Sequence, residues 1–201
     1  MARAFADITF TESVKAAQSR YGSREQNTYF EKAADPRNLI GEKELHFIQT
    51  RDSFYQATVG ENGWPYVQHR GGPTGFLKVL DERTFGYADF QGNFQYISVG
   101  NIDNDDRVSL ILMDYPNQRR LKIWGHARIV HSEEDPELVM RLQNKGYAAK
   151  VERGIIIRVD ALEWNCPQHI TQRFTEADVR QAVAPLLAEI EELKSLLASY
   201  E

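Results

Sequence analysis

The spacing of apolar residues changes along the chain and divides it into three stretches. The first forty or so residues are polar and mixed. Within them residues 10–15 predict a short helix capped by Thr11 and stopped at Tyr21-Gly22-Ser23-Arg24. Leu45 and Ile48, at helical spacing, predict a second helix over residues 42–51. From Phe54 onward the period shortens. Residues 54–59 read as a strand, Glu61-Asn62-Gly63 as a tight turn, and residues 64–68 as the returning strand, with Pro65 near its start. Residues 75–80, 84–89, 107–114, 120–130 and 154–160 add strand candidates rich in Val, Ile, Leu, Phe and Tyr. Seven strands joined by short polar turns imply a barrel or a sandwich.

Two segments interrupt the strand rhythm. Residues 94–103 predict a short helix. Residues 135–145 predict another, opened by Asp135-Pro136-Glu137, with Leu138 and Leu142 on one face. The third stretch is helical again. Val179, Val183, Leu186, Ile190, Leu193 and Leu197 are separated by 4, 3, 4, 3 and 4 residues. That is the seam of a coiled coil or of a helix laid on its own domain. Pro185 disfavours a straight helix through Ala184 and reads as a restart. The expected organisation is an N-terminal helical and irregular segment over 1–50, a barrel domain over 51–174 and a C-terminal helix over 175–201.

Composition narrows the classes. The 201 residues are 42% hydrophobic, enough to bury a core and to exclude disorder over most of the chain. The longest apolar runs, such as Leu110–Met113 and Ile155–Ile157, fall far short of the roughly 18 residues of a membrane helix. A net charge of −5 removes the general attraction to phosphate backbones, so nucleic acid is not an expected partner. The single cysteine, Cys166, excludes an intramolecular disulfide and a paired-Cys zinc site. The five histidines show no His-x-His or His-Glu-x-x-His spacing. No basic region followed by an apolar stretch opens the chain, so a cytoplasmic location is expected.

Four stretches carry candidate chemistry. Gln68-His69-Arg70-Gly71-Gly72-Pro73-Thr74-Gly75 combines glycines that let backbone N–H groups approach a ligand with an arginine suited to phosphate, although such a loop also serves simply as a turn. It is neither a Walker loop nor a dinucleotide fingerprint. Residues 89–101, Asp89-Phe90-Gln91-Gly92-Asn93-Phe94-Gln95-Tyr96 and onward, bring amides, a Ser and a Tyr to a strand end, as a ligand with many acceptors requires. In Arg120-Leu121-Lys122-Ile123-Trp124, alternation puts Arg120, Lys122 and Trp124 on one face and Leu121 and Ile123 on the other. Trp164-Asn165-Cys166-Pro167-Gln168-His169 follows the last strand. There Cys166 with His169 could be read as a nucleophile and its base, but no orienting third group accompanies them, and a lone Cys usually behaves as a small buried hydrophobe.

Together these residues resemble the pyridoxamine 5'-phosphate oxidase-like family of FMN-binding split barrels. The stretches that carry the resemblance are Trp64 to Pro73, Gly75-Phe76-Leu77-Lys78-Val79-Leu80-Asp81, Gly92 to Asn101, Asp106-Arg107-Val108-Ser109-Leu110 and Trp164 to His169. The resemblance implies an antiparallel split β-barrel with flanking helices that forms a homodimer, with FMN in clefts at the subunit interface. It implies that Arg70 and Lys78 neutralise the FMN phosphate and that the amides of Asn93 and Gln95 bond the phosphate or ribityl chain, with His69, Gly71 and Tyr96 also among the cofactor-binding residues. Arg120 would sit at the pyrimidine edge of the ring, where a cation stabilises reduced flavin. Trp164, Asn165 and Gln168 would approach from the partner subunit.

The chain departs from the true vitamin B6 oxidase. That enzyme carries an arginine- and histidine-containing substrate motif near its C-terminus, where this chain has an acidic, leucine-zippered helix. The implied function is therefore an FMN-dependent oxidoreductase that moves hydride between flavin N5 and a small organic substrate or a reduced nicotinamide. The alternatives are a non-enzymatic FMN-binding or storage protein, and a haem-handling split barrel with His69, His126 or His169 as axial ligand.

Overall fold

The computed structural model describes residues 2–199. The chain forms two units. The first comprises the residues up to Met113 together with Arg120–Cys166, and the second comprises Asp114–Arg119 with the residues from Pro167 onward. Among the described residues, no helix is long and apolar enough to cross a membrane.

Seven antiparallel strands carry the first unit: β1 (Ser53–Val59), β2 (Pro65–Gly71), β3 (Lys78–Asp81), β4 (Thr84–Phe90), β5 (Arg107–Asp114), β6 (Arg119–Val130) and β7 (Val151–Trp164). They are the seven strands expected from the sequence, in the ladder order β2-β1-β5-β6-β7-β4-β3. The β1–β2 hairpin turns through Gly63, whose φ of +81° is open to glycine at no steric cost. The predicted strand over 75–80 is shorter than expected, because Gly75 has a φ of +82° and Phe76 and Leu77 turn into the core before β3 begins. The last strand is longer at both ends than the predicted 154–160.

Side chains show how the sheet is rolled. β1 and β4 are four places apart in the ladder, yet the rings of Phe54 and Tyr87 meet edge to face at 5.3 Å. β2 and β4 are joined by an ion pair between Arg70 and Asp89. The sheet therefore curls until its two ends approach. No ladder closes β2 onto β3 among the described residues, so the barrel is split. One cluster fills it, from Phe54, Phe85, Tyr87, Leu110, Leu112, Leu121, Ile123 and Ile157 to Phe47 and Ile48 of α4 (Glu42–Gln49).

Helices cover what the barrel leaves open. α1 (Ala4–Thr9) lays Phe5 and Ala6 against Ala161, with the Phe5 ring stacked on Trp124. The N-terminal segment thus packs on the outer face of β6 and β7. α2 (Glu12–Arg20) has Thr11 as its N-cap and ends at Tyr21, as predicted, whereas α3 (Arg24–Lys32) was not foreseen. α5 (Ile97–Asn104) and α6 (Pro136–Leu142) occupy the two predicted interruptions. α6 opens on the Asp135 carboxylate, which accepts from the Leu138 N–H at 2.9 Å.

In the second unit, Gln118 Nε2 donates to the Ile170 carbonyl at 2.7 Å and Gln172 Nε2 to the Pro116 carbonyl at 2.8 Å. α7 (Glu176–Ala198) follows, opened by a reciprocal capping box between Thr175 and Asp178. Hydrogen bonds from Thr175 hold the Asp178 carboxyl below the usual aspartate range. Contrary to the expected restart, α7 runs unbroken through Pro185. Proline lacks the N–H that would pair with the Gln181 carbonyl. No α7 residue is buried, so water can serve that carbonyl. Cys166 also departs from expectation: it is exposed, not a small buried hydrophobe.

Candidate functional site

The densest polar constellation forms where β2, β4, β7 and the start of α5 converge. On β2, alternation sends Tyr66, Gln68 and Arg70 inward and leaves Val67 and His69 exposed. β4 presents Asp89 at its end. Register places Asp89 opposite Arg153 of β7, and Phe90 opposite Val151. The loop after β4 then turns sharply. Phe94 and Tyr96 both have positive φ, at 61° and 52°, a conformation that non-glycine residues rarely adopt. Such backbone gathers at binding sites, where surrounding contacts hold it. These elements line a cleft of about 220 Å³ bounded by Gln68, Arg70, Asp89, Asn93, Gln95, Ser98 and their neighbours.

Its charges are interlocked. Arg70 Nη1 donates to Asp89 Oδ1 at 2.6 Å, and Arg153 Nε lies 3.7 Å from Asp89 Oδ2. Arg153 Nη2 donates to Glu152 Oε2 at 2.7 Å, while the Tyr96 hydroxyl donates to Glu152 Oε1 at 3.1 Å. The Arg153 guanidinium also sits 5.0 Å from the centroid of the Tyr96 ring. Burial pushes the Asp89 carboxyl above the usual aspartate range, against the opposing pull of Arg70 and Arg153. The Nε atoms of both arginines are buried without a hydrogen-bond partner. A buried donor left unpaired is costly, and an acceptor arriving in the cleft would relieve it.

The start of α5 completes the cleft. Its N-cap, Tyr96, is left-handed and supplies no side-chain cap. Ile97, Ser98 and Val99, whose N–H groups open the helix, are among the cleft-lining residues. An uncapped helix start presents donors and a partial positive charge to whatever enters. α5 is anchored beside the cleft by the Ser98 hydroxyl, which donates to Gln68 Oε1 at 2.9 Å, and by Asn101 Nδ2, which donates to Thr58 at 2.9 Å.

Four of the predicted binding residues, Arg70, Asn93, Gln95 and Tyr96, come together here. His69 and Gly71 line a smaller cavity of about 160 Å³ that also reaches Arg70 and Asp89. The other five lie outside the cleft lining. Lys78 Nζ donates to the Gly75 carbonyl at 2.6 Å. Arg120, on the face of β6 opposite Leu121 and Ile123, accepts through its carbonyl from the Asn165 N–H at 3.3 Å. Arg120 Nε and Asn165 Oδ1 are buried and unpaired. Trp164 is held within its own chain: its indole N–H donates to Glu44 at 2.6 Å and its ring meets Phe47 edge to face. Gln168 is exposed in the second unit.

Sequence reasoning did not single out Glu152 or Arg153, because it began the last strand at Gly154. The available signal was a charged pair just before the run Gly154–Ile157. Only the β4–β7 register reveals that one of the pair faces Asp89. Of the histidines weighed as haem ligands, His69 and His169 are exposed. His126 has both ring nitrogens engaged, Nδ1 at 2.7 Å from Asp106 and Nε2 at 3.1 Å from Asp160.

The sequence profile of the family described as pyridoxamine 5'-phosphate oxidase matches residues 40–166, more than half of the chain. Among solved structures, HupZ of Group A Streptococcus is 17% identical with a TM-score of 0.51, over 67% of this chain and 99% of that one. General stress protein 26 of Bacillus anthracis is 17% identical with a TM-score of 0.45, over 59% of this chain and 88% of that one. An F420 reductase is 19% identical with a TM-score of 0.43, over 59% and 94% of the two chains. At 17% identity the likeness to HupZ is one of fold. No curated protein matches the sequence.

Proposed function

The chain belongs to the pyridoxamine 5'-phosphate oxidase family, and from that premise we propose that it is an FMN-binding flavoprotein. In this reading it is an oxidoreductase acting on a small organic substrate and works as a homodimer. The observation that carries the reading is the uncapped N-terminus of α5 opening into the same cleft as Arg70. A helix start beside a guanidinium is a phosphate site in both charge and donor geometry.

The residues of the cleft suit the cofactor. The phosphate would take the first N–H groups of α5 and the unpaired Nε of Arg70, with Asp89 holding the guanidinium in place. Asn93, Gln95 and Gln68 offer amides to the ribityl hydroxyls. At about 220 Å³ the cleft of one chain is smaller than the roughly 300 Å³ at which small-molecule sites begin, which favours a second copy completing it. In such a dimer the unpaired Arg120 Nε and Asn165 Oδ1 would be polar groups for the ring edge. Bound FMN would supply hydride transfer at its N5. The chain's own part is to bind, orient and shield the ring, which needs no acid, base or nucleophile from the protein.

The test is the absorption spectrum of the purified protein, followed by FMN titration of wild type and Arg70→Ala. We expect a yellow protein that releases FMN on heating. Arg70→Ala should bind more weakly by about 2–4 kcal/mol, the cost of removing a charged partner from a desolvated anion. A colourless protein that FMN does not titrate would overturn the reading, and unchanged affinity in the variant would take Arg70 out of the site.

A further inference from the structure

One face of α7 is an unpartnered apolar surface in the described chain. Its seam residues, from Val179 to Leu197, are 37 to 69% exposed, as are Leu187 and Leu196 beside them. An apolar stripe of this extent calls for a partner. We infer that it is covered by the same helix of a second copy, paired in parallel as a short two-stranded coiled coil.

The register names the partner. With Val183, Ile190 and Leu197 at a and Val179, Leu186 and Leu193 at d, the two central layers have a β-branched residue at a and Leu at d. That combination favours two parallel strands over trimers or tetramers. The flanking positions decide the direction. In a parallel pair, Glu189 at g faces Lys194 at e of the other helix, an attractive contact, and Ala182 faces Leu187. In the antiparallel pair that keeps the same layers, Glu189 would meet Glu189, and Arg180 would meet Lys194, both repulsive. Within one chain Lys194 already donates to Glu191 at 2.7 Å, and its ammonium has further donors for a second carboxylate.

The remaining features agree. Pro185 falls at c, facing away from the seam, so its missing N–H lies on the solvent side. The capping box at Thr175 and Asp178 fixes the start of the helix at Glu176, three residues before the first seam position, Val179. The seam spans about two and a half heptads, fewer than the three or four usual for a free-standing coiled coil. It is therefore suited to joining chains already held together, as in the homodimer proposed above, by raising their mutual concentration.

Disulfide trapping in the full-length protein tests the inference without any flavin readout, so its outcome is separate from that of the FMN reading. Leu186→Cys and Leu193→Cys are each made in a Cys166→Ser background, with Ser195→Cys, at the outward f position, as reference. Parallel pairing brings like d positions within disulfide reach. Both variants should oxidise to a linked dimer at least tenfold faster than the reference. Adding Glu189→Lys should slow trapping at 193, and adding Lys194→Glu to that variant should restore it. Trapping at neither position above the reference would overturn the pairing. Trapping at 186 alone would overturn it equally, since the parallel register brings both d positions together.

Discussion

Tyr87→Phe probes a polar contact that crosses the barrel interior. The Tyr87 hydroxyl on β4 donates at 2.8 Å to Gln56 Oε1 on β1, and the two residues are 1% and 0% exposed. Gln56 Nε2 is already buried without a partner. Removing the hydroxyl would leave both ends of the Gln56 amide unpaired, at a cost of about 1–3 kcal/mol. A domain of this length loses about 2–4 °C of midpoint per kcal/mol, so a central value of ~2 kcal/mol lowers the transition by about 4–8 °C. Gln56→Leu costs less, because it also removes the orphaned Nε2, although it strands the phenol. The double variant replaces both partners by apolar groups and should lie within about 1 kcal/mol of wild type, which gives a coupling of ~2 kcal/mol in the cycle.

Calorimetry and urea unfolding of the four proteins would measure this. A Tyr87→Phe loss below about 0.5 kcal/mol, or a double variant that costs the sum of the singles, would refute the argument that the bond matters because its partners are buried. The phenol adds a pH signature. Burial raises its pKa, helped by the Asp89 charge and opposed by Arg70 and the Gln56 bond. Folding therefore favours the protonated form. The stability this brings is full below the ordinary tyrosine value of 10.0 and is lost as pH rises beyond it. Tyr87→Phe should lack that alkaline decline.

Two further outcomes follow from packing and burial. At Gly125 an added Cβ would stand 2.1 Å from the Arg158 carbonyl oxygen, at the irregular register between β6 and β7. Both sides of that clash are backbone, so Gly125→Ala should lower stability by about 3 kcal/mol or prevent folding, read from the urea midpoint or the yield of soluble protein. Asp89 has its carboxyl pKa raised by burial, so its contribution is full below the ordinary value of 3.8 and declines as pH rises through the higher folded value. Asp89→Asn, which cannot ionise, should lose that slope in urea midpoints taken between about pH 3 and 7. An unchanged slope would show that the two arginines cancel the effect of burial, and a slope of opposite sign that they outweigh it.

Strand number, the Gly63 hairpin and the helix starts at Thr11 and Asp135 were legible because each depends on neighbours in sequence: a period, a turn residue or a cap. The family was legible for a similar reason, since its motifs are local runs. The helices over Ala4–Thr9 and Arg24–Lys32 were not, because their polar surroundings dilute the pattern, and the first gains its apolar role only by meeting Trp124 and Ala161. Pro185 misled because a helix-breaking rule assumes the freed carbonyl is costly, and on an exposed helix it is not.

For the candidate site, the residue types were local information but the constellation was not. Arg70, Asn93, Gln95 and Tyr96 were identifiable as polar groups at strand ends. That Arg70 is engaged by Asp89, that Arg153 arrives from the opposite register, and that Trp164 is tied to Glu44 depend on contacts between residues 19, 64 and 120 positions apart. Sequence alone determined the strands and most of the helices, because their causes lie within a few residues. Only the rolled sheet decided which side chains share a cleft, because curling brings β2 against β4 although no backbone ladder joins them.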